Sequence, residues 1–193
     1  MSFEDAHVPP AVPRRGNAAW RWIGRTLLSI GRWRIEGAFP DVPKCVVAVA
    51  PHTSNWDFPV GASAMFALDL KVRFIGKHTL FVWPFSRFLR WMGGVPVDRR
   101  AAHGVVGEAV GAFRASPAFM LVIAPEGTRS KVERFKSGFL HIARGAGVPV
   151  VLVALDWGHR VIRIGPTHEV GEDIEAERTR IERHFAGFRG RNR

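Results

Sequence analysis

A single cysteine, Cys45, stands in a chain of 193 residues, so no internal disulfide and no cysteine-rich zinc site can form, and a reducing compartment suits the chain. Tyrosine is absent while there are 14 Phe and 7 Trp, which makes the aromatic content almost wholly apolar and rich in the residue that favours membrane interfaces. Acidic residues are few: 17 Asp and Glu face 28 Lys and Arg, a formal net charge of +11. So basic a balance points to an anionic partner: nucleic acid, an anionic membrane surface, an acidic carrier protein or a phosphorylated substrate. No apolar run reaches the roughly 20 residues a helix needs to span a bilayer, the longest being stretches such as Ala118–Pro125 and Val148–Leu155. The amino terminus carries Glu4 and Asp5, is punctuated by Pro9, Pro10 and Pro13, and does not read as a signal peptide. These absences predict a cytoplasmic protein, and 47% hydrophobic residues exclude wholesale disorder.

Arginine supplies most of the positive charge and collects at the ends, between Arg14 and Arg34 and between Arg178 and Arg193. Residues 1–16, dominated by Pro, Arg and Gly, read as a flexible arm, and residues 17–34 as an amphipathic basic helix. At about 100° per residue, Trp20, Ile23, Leu27 and Ile30 share one face of that helix while Arg21, Arg25 and Arg32 gather opposite. Such a helix either lies in a membrane interface or packs on the domain as a terminal helix. From residue 35 to 193 the chain reads as one domain in which strand-length apolar runs alternate with helical stretches. The runs are Cys45–Ala50, Val72–Ile75, Val95–Val97, Ala118–Ala124, Pro149–Leu155 and Val161–Ile164, and the helices Asn55–Leu70, Pro84–Met92, Ala102–Ala115, Glu133–Gly145 and Glu172–Phe188. The fold class is therefore α/β, a mainly parallel or mixed sheet flanked by helices, with an amphipathic helix at its amino end.

Ligands of open α/β sheets collect at the carboxyl ends of the strands, which directs the search for chemistry. After the first run comes Pro51-His52-Thr53-Ser54-Asn55-Trp56-Asp57, where Ser54 or Asn55 can cap a helix and place His52 in the loop and Asp57 in the first turn. A neutral imidazole can take a proton from a hydroxyl, and a carboxylate on its other nitrogen fixes the tautomer; a merely polar loop fits the same residues. The sequence Pro125-Glu126-Gly127-Thr128-Arg129-Ser130 follows another run. Gly127 permits close backbone approach, Arg129 offers a planar fork for phosphate, Thr128 and Ser130 add hydroxyls, and Glu126 can orient the loop; a β-turn with a surface ion pair is the plainer alternative. In Gly93-Gly94-Val95-Pro96-Val97-Asp98-Arg99 a turn feeds a short strand, from whose end Arg99 either reaches the same phosphate or stays in solvent.

Together these blocks resemble the glycerolipid acyltransferase family, which includes the 1-acylglycerol-3-phosphate and related lysophospholipid acyltransferases. Its His, four residues, Asp block is matched by His52 and Asp57; its Gly-x-Ile-x-Ile-x-Arg block by Gly93 to Arg99; its Pro-Glu-Gly-Thr-Arg-Ser block is reproduced in full at Pro125 to Ser130. The Phe-Lys-x-Gly continuation appears at Phe135 to Gly138, and Val148-Pro149-Val150-Val151 approximates the fourth block. Pro51, Pro96 and Leu152 depart from the usual residues.

The resemblance implies transfer of a fatty acyl group from a thioester, on coenzyme A or an acyl carrier protein, to a hydroxyl of a lysophospholipid or glycerol-phosphate acceptor. His52 would be the general base and Asp57 its partner; Arg129, Arg99 and Lys77 would hold the acceptor phosphate in a pocket shaped by Glu126, Gly127 and Thr128. No metal and no bound cofactor is implied, and peripheral attachment to the cytoplasmic face of an anionic membrane would fall to the 17–34 helix. The absence of a Gly-x-Ser-x-Gly elbow, and the place of Cys45 in a strand, favour direct transfer without an acyl-enzyme. Rival readings are an acyltransferase or transacylase on another lysolipid such as an aminoacyl lipid, and a basic membrane-surface or nucleic-acid-binding protein without catalysis. The last leaves the blocks unexplained, and the sequence carries no nucleic-acid-binding signature.

Overall fold

The computed structural model describes residues 6–97, 102–128, 132 and 134–192. Among these residues eight strands form one sheet: β1 (Ala6–His7), β2 (Arg34–Ala38), β3 (Lys44–Ala50), β4 (Val72–Lys77), β5 (Gly94–Val97), β6 (Phe119–Ile123), β7 (Val150–Asp156) and β8 (Val161–His168). Six helices accompany them: α1 (Ala18–Ile30), α2 (Asp57–Ala67), α3 (Phe85–Met92), α4 (Ala102–Ala115), α5 (Gly138–Ala146) and α6 (Ile174–Phe185). The strand order is β1-β2-β8-β7-β3-β6-β4-β5, and every neighbouring pair is parallel except the β7–β8 hairpin. Parallel neighbours require crossovers, and the helices between strands provide them.

The central strands are apolar on both sides because both sheet faces are covered. In β3, Val46, Ala48 and Ala50 face the layer of α4, α5 and α6, whereas Cys45 and Val47 face the opposite layer. In β7, Val150, Leu152 and Ala154 alternate in the same way with Val151, Val153 and Leu155. Cys45 is buried, and loss of solvation pushes its thiol up to about 12, so it is inert packing.

The second layer is α2 against the sheet with α1 beyond it. The two helices meet backbone to backbone at Gly24, where a Cβ would lie 2.4 Å from the Ala67 nitrogen and 2.5 Å from the Ser63 oxygen. Leu28 completes the contact, and Trp20 stacks on Phe66 with ring centroids 4.8 Å apart. The face that α1 buries is thus Trp20, Gly24 and Leu28, rotated from the expected Trp20, Ile23, Leu27 and Ile30; Leu27 and Ile30 stay exposed. Glycine carries no hydropathy signal, yet its lack of a side chain sets which face can approach.

Residues 6–16 also differ from the expected loose arm. Ala6 and His7 pair with Gly37 and Ala38, Val12 is buried, and Asp69 accepts from the backbone N–H groups of Gly16 and Asn17 at 3.2 Å each. Apart from the lone buried Val12, these ties are backbone and polar contacts, invisible to periodicity. Of the stretch expected to be helical over 133–145, residue 133 lies outside the described residues, and residues 134–137 precede α5, which begins at Gly138.

Gly24 and Gly104 offer the same substitution in opposite surroundings. Gly24→Ala forces two backbones apart and is expected to lower Tm by about 5 °C, at the usual 1–3 kcal/mol for overpacking. Gly104→Ala, whose Cβ meets nothing within 4 Å on α4, should leave Tm unchanged or raise it. Thermal melts of both variants followed by circular dichroism check the pair; an unchanged Tm for Gly24→Ala would contradict the packing described.

Candidate active site

The parallel strands β7, β3 and β6 are neighbours, so the loops that leave their carboxyl ends converge. From β3 come His52 and Asp57, from β6 Glu126, and from β7 Trp157. Asp57 opens α2 with its side chain fully buried at 0% exposure. A carboxylate taken out of water is costly unless donors replace the solvent, and three do so. The Ser54 backbone N–H donates to Asp57 Oδ2 at 2.7 Å, the Trp157 indole Nε1–H donates to Oδ1 at 2.7 Å, and His52 Nδ1 stands 3.3 Å from Oδ2. Ser54, one of the two expected caps, closes the turn that enters α2: its Oγ accepts the Trp56 backbone N–H at 3.2 Å while Asp57 turns back onto the Ser54 N–H, and Trp56, the residue before α2, adds no side-chain bond.

Glu126 is buried and accepts the His52 backbone N–H on both oxygens, at 3.0 and 2.9 Å. It thereby ties the β6 loop to the β3 loop. Burial pushes the Glu126 carboxyl above its ordinary range, and the Asp57 charge adds to the effect while the His52 N–H opposes it. Gly127 follows at φ +64°, with the Lys136 side chain folded over it so that a Cβ would sit 2.9 Å from Cδ and Cε. Lys136 also donates its backbone N–H to the Pro125 carbonyl at 2.9 Å, which draws the Phe-Lys-x-Gly segment against the Glu-Gly-Thr turn.

Two further groups brace the histidine loop. Asp156, at the end of β7, accepts from the backbone N–H of Gly158 at 3.0 Å and pairs with His159 Nδ1 at 2.7 Å, which sets the hairpin turn that carries Trp157. Although burial works the other way, these bonds hold the Asp156 carboxyl below its ordinary range. The carboxyl-terminal segment then crosses the loop. Asn192 Nδ2–H donates to the Thr53 carbonyl at 2.8 Å, and the Arg191 guanidinium lies 4.9 Å from the ring centroids of both Trp56 and Trp157.

Between α2 and the sheet runs a cavity of about 210 Å³ whose walls are almost entirely apolar. His52 and Asp57 line it, as do Phe58, Gly61 and Met65 of α2, Val47 of β3, and Phe74 of β4. Ile162 and Ile164 of β8 contribute from farther along the same sheet face. The small residues Gly61 and Ala62 keep α2 from filling the space. The arrangement is an imidazole held by a buried carboxylate, next to a lipophilic cavity.

Of the residues expected at the site, His52, Asp57 and Glu126 are brought together, with Gly127 and Thr128 in the same turn as Glu126. Lys77 closes β4, paired with Val97, on the strand next to β6. Arg99 and Arg129 lie outside the described residues. Trp157 was not anticipated, although it directly follows a strand, where such residues are found; Lys136, Arg191 and Asn192 were not anticipated as neighbours of the site either. Among the described residues no group of three or more His, Cys, Asp or Glu is placed to hold a metal ion, and no helix is long and apolar enough to cross a membrane.

Comparison with known proteins bears on this geometry. The profile of the family described as Acyltransferase matches residues 37–156, which include β3, α2, the β6 loop and β7. The chain is 30% identical over 129 residues to a 1-acyl-sn-glycerol-3-phosphate acyltransferase of Escherichia coli (strain K12), covering 63% of this chain and 51% of that protein. It is 26% identical over 154 residues to the protein of that name from Haemophilus influenzae, covering 75% and 62%. The chain thus spans about half to three fifths of the length of these relatives. The crystal structure of the 1-acyl-sn-glycerophosphate (LPA) acyltransferase PlsC from Thermotoga maritima superposes with a TM-score of 0.63 at 24% identity, over 86% of this chain and 78% of that one, a likeness of fold. With well over half of its residues matched in one block that contains His52, Asp57 and Glu126, the chain belongs to the acyltransferase family.

Proposed function

We propose that the protein transfers a fatty acyl group from an acyl thioester to a hydroxyl of a lysophospholipid or glycerol-phosphate acceptor. The observation that carries this reading is the contact between His52 Nδ1 and the fully buried carboxylate of Asp57 at 3.3 Å, beside a cavity with apolar walls. With Nδ1 turned to Asp57, Nε2 is the nitrogen that takes the proton. The acceptor oxygen attacks the thioester carbonyl as its proton passes to Nε2, and the Asp57 charge stabilises the imidazolium. Collapse of the tetrahedral intermediate breaks the carbon–sulfur bond, and the departing sulfur recovers the proton from Nε2. The products are an ester and a free thiol.

The acyl chain would occupy the cavity under α2, with its thioester at the His52 end. Arg129, Arg99 and Lys77 would hold the acceptor phosphate, with Gly127 and Thr128 shaping its pocket. Glu126 acts through the histidine loop, since both its oxygens are engaged by the His52 N–H. Coenzyme A or an acyl carrier protein would supply the donor, and no metal enters the steps. An anionic membrane surface, not nucleic acid, would be the macroscopic partner that presents the acceptor.

Two measurements test this. A labelled acyl thioester, incubated with the protein and a panel of lysolipids with and without a phosphate monoester, is expected to yield labelled ester with a phosphorylated acceptor. His52→Ala should lower that rate by about 10²–10⁴-fold, the usual worth of a general base, and a variant within a few-fold of the parent would remove His52 from the role. Trp157→Phe deletes one of the donors to Asp57 and keeps most of the ring packing, including the edge contact with Trp33 at 4.9 Å. It should lower kcat about tenfold with the KM for the donor unchanged, as loss of a hydrogen bond to a charged group worth about 1.5–3 kcal/mol suggests.

A further inference from the structure

The segment from Leu80 to Trp91 presents an apolar surface that packing does not explain. Trp83 is 85% exposed and Phe85 64%, and Leu80, Val82, Phe88 and Trp91 are also exposed. A folded chain rarely leaves a tryptophan and two phenylalanines of one short segment so exposed to water without use for them. Only Leu89 and Met92 turn α3 inward, so nearly the whole outward side of the helix is aromatic or basic.

The charge carried by this stretch of the chain is of one sign, with Asp69 the acid that acts on nearby Arg15. From Leu70 to Val97 the chain has no acidic residue, while Lys71, Arg73, Lys77, Arg87 and Arg90 supply five cations, and Arg87 and Arg90 lie exposed on α3 itself. Trp91 extends the ridge to α1 through Trp20, with ring centroids 4.9 Å apart, and the Arg15 guanidinium stacks 4.8 Å from the Trp91 ring. Aromatic rings flanked by arginines on a convex helix match the boundary of an anionic bilayer, where rings enter the acyl region and guanidinium groups meet phosphates.

The ridge also lies beside the cavity. Phe58 is partly exposed, lines the cavity, and packs edge-on against Phe74, another wall residue, at 5.6 Å. Phe74 belongs to β4, which pairs directly with β5, the strand that α3 leads into.

We propose that the Leu80–Trp91 ridge, with Arg87 and Arg90, docks this protein on anionic lipid surfaces. The ridge, and not the amino-terminal helix, is the principal contact. This rests on the membrane partner named above and assigns it a face. In α1 the outward apolar residues Trp22, Leu27 and Ile30 share that helix with a side already committed to α2, and they are the natural control.

Co-sedimentation of the full chain with vesicles of phosphatidylcholine and phosphatidylglycerol in equal parts, and of phosphatidylcholine alone, tests the assignment. The triple variant Val82→Ser, Trp83→Ser, Phe85→Ser should bind the anionic vesicles at least tenfold more weakly with Tm unchanged, since these side chains are more than half exposed. The pair Trp22→Ser, Ile30→Ser should stay within about twofold of the parent. Arg87→Gln with Arg90→Gln should weaken binding to anionic vesicles and leave the weaker binding to neutral ones unaltered. Equal loss in the α1 pair and the ridge triple, or full retention in the triple, would overturn the proposal. So would a dimer in sedimentation equilibrium that the triple variant dissociates, because the ridge would then be a contact between copies. Vesicle binding does not read acyl transfer, so failure here leaves the chemistry of His52 standing, and failure there leaves the ridge.

Discussion

The buried carboxylate of Asp57 is the constraint around which the functional end of the molecule is arranged. A charge with no exposed surface survives in a fold only where donors surround it, and the three that do so come from the β3 loop and the turn after β7. Each imposes geometry. The Ser54 N–H fixes how the loop enters α2, the Trp157 indole fixes the hairpin against the helix, and His52 is the one donor able to exchange a proton at neutral pH. Satisfying the carboxylate therefore orients the base, so that local stability and chemistry rest on the same hydrogen bonds.

The two faces of the sheet divide the work. Beneath α4, α5 and α6 the packing is continuous, and Val46, Leu152 and Leu140 are fully buried there. Beneath α2 the small residues Gly61 and Ala62 leave room, and the resulting cavity is walled by residues of five strands, from Phe74 of β4 to Ile164 of β8. A helix drawn closer would fill it. The close approach of α1 at Gly24 braces α2 from its outer side, which keeps this roof in place while its inner side remains open.

Much of this was legible in the sequence, and the parts that were not share a cause. Alternating apolar runs and helical stretches read as α/β, and six of the eight strands and all six helices appear close to where periodicity puts them. Spacing made a meeting of His52 and Asp57 possible and the family resemblance gave it a role, whereas Glu126, expected to shape an acceptor pocket, proves to hold the His52 N–H. What escaped depends on contacts between distant residues. β1 and β2 are too short or too mixed to show a period, and the buried face of α1 is chosen by a glycine. Trp157 stands 100 residues from the carboxylate it serves, and Asn192 reaches Thr53 across 139. No local pattern encodes such partners; they arise from the strand order.

The claim on which the rest depends is that a negative charge at Asp57 makes His52 a base. Asp57→Asn tests it most directly, because the amide keeps the shape and removes the charge. It also turns one oxygen that now accepts an N–H into a donor, so Tm is measured beside steady-state acyl transfer. The expected result is a folded variant whose kcat falls by about 10³–10⁴-fold, as when the carboxylate behind a catalytic imidazole is neutralised in an acyl-transfer enzyme. A folded variant that retains kcat within tenfold of the parent would contradict it.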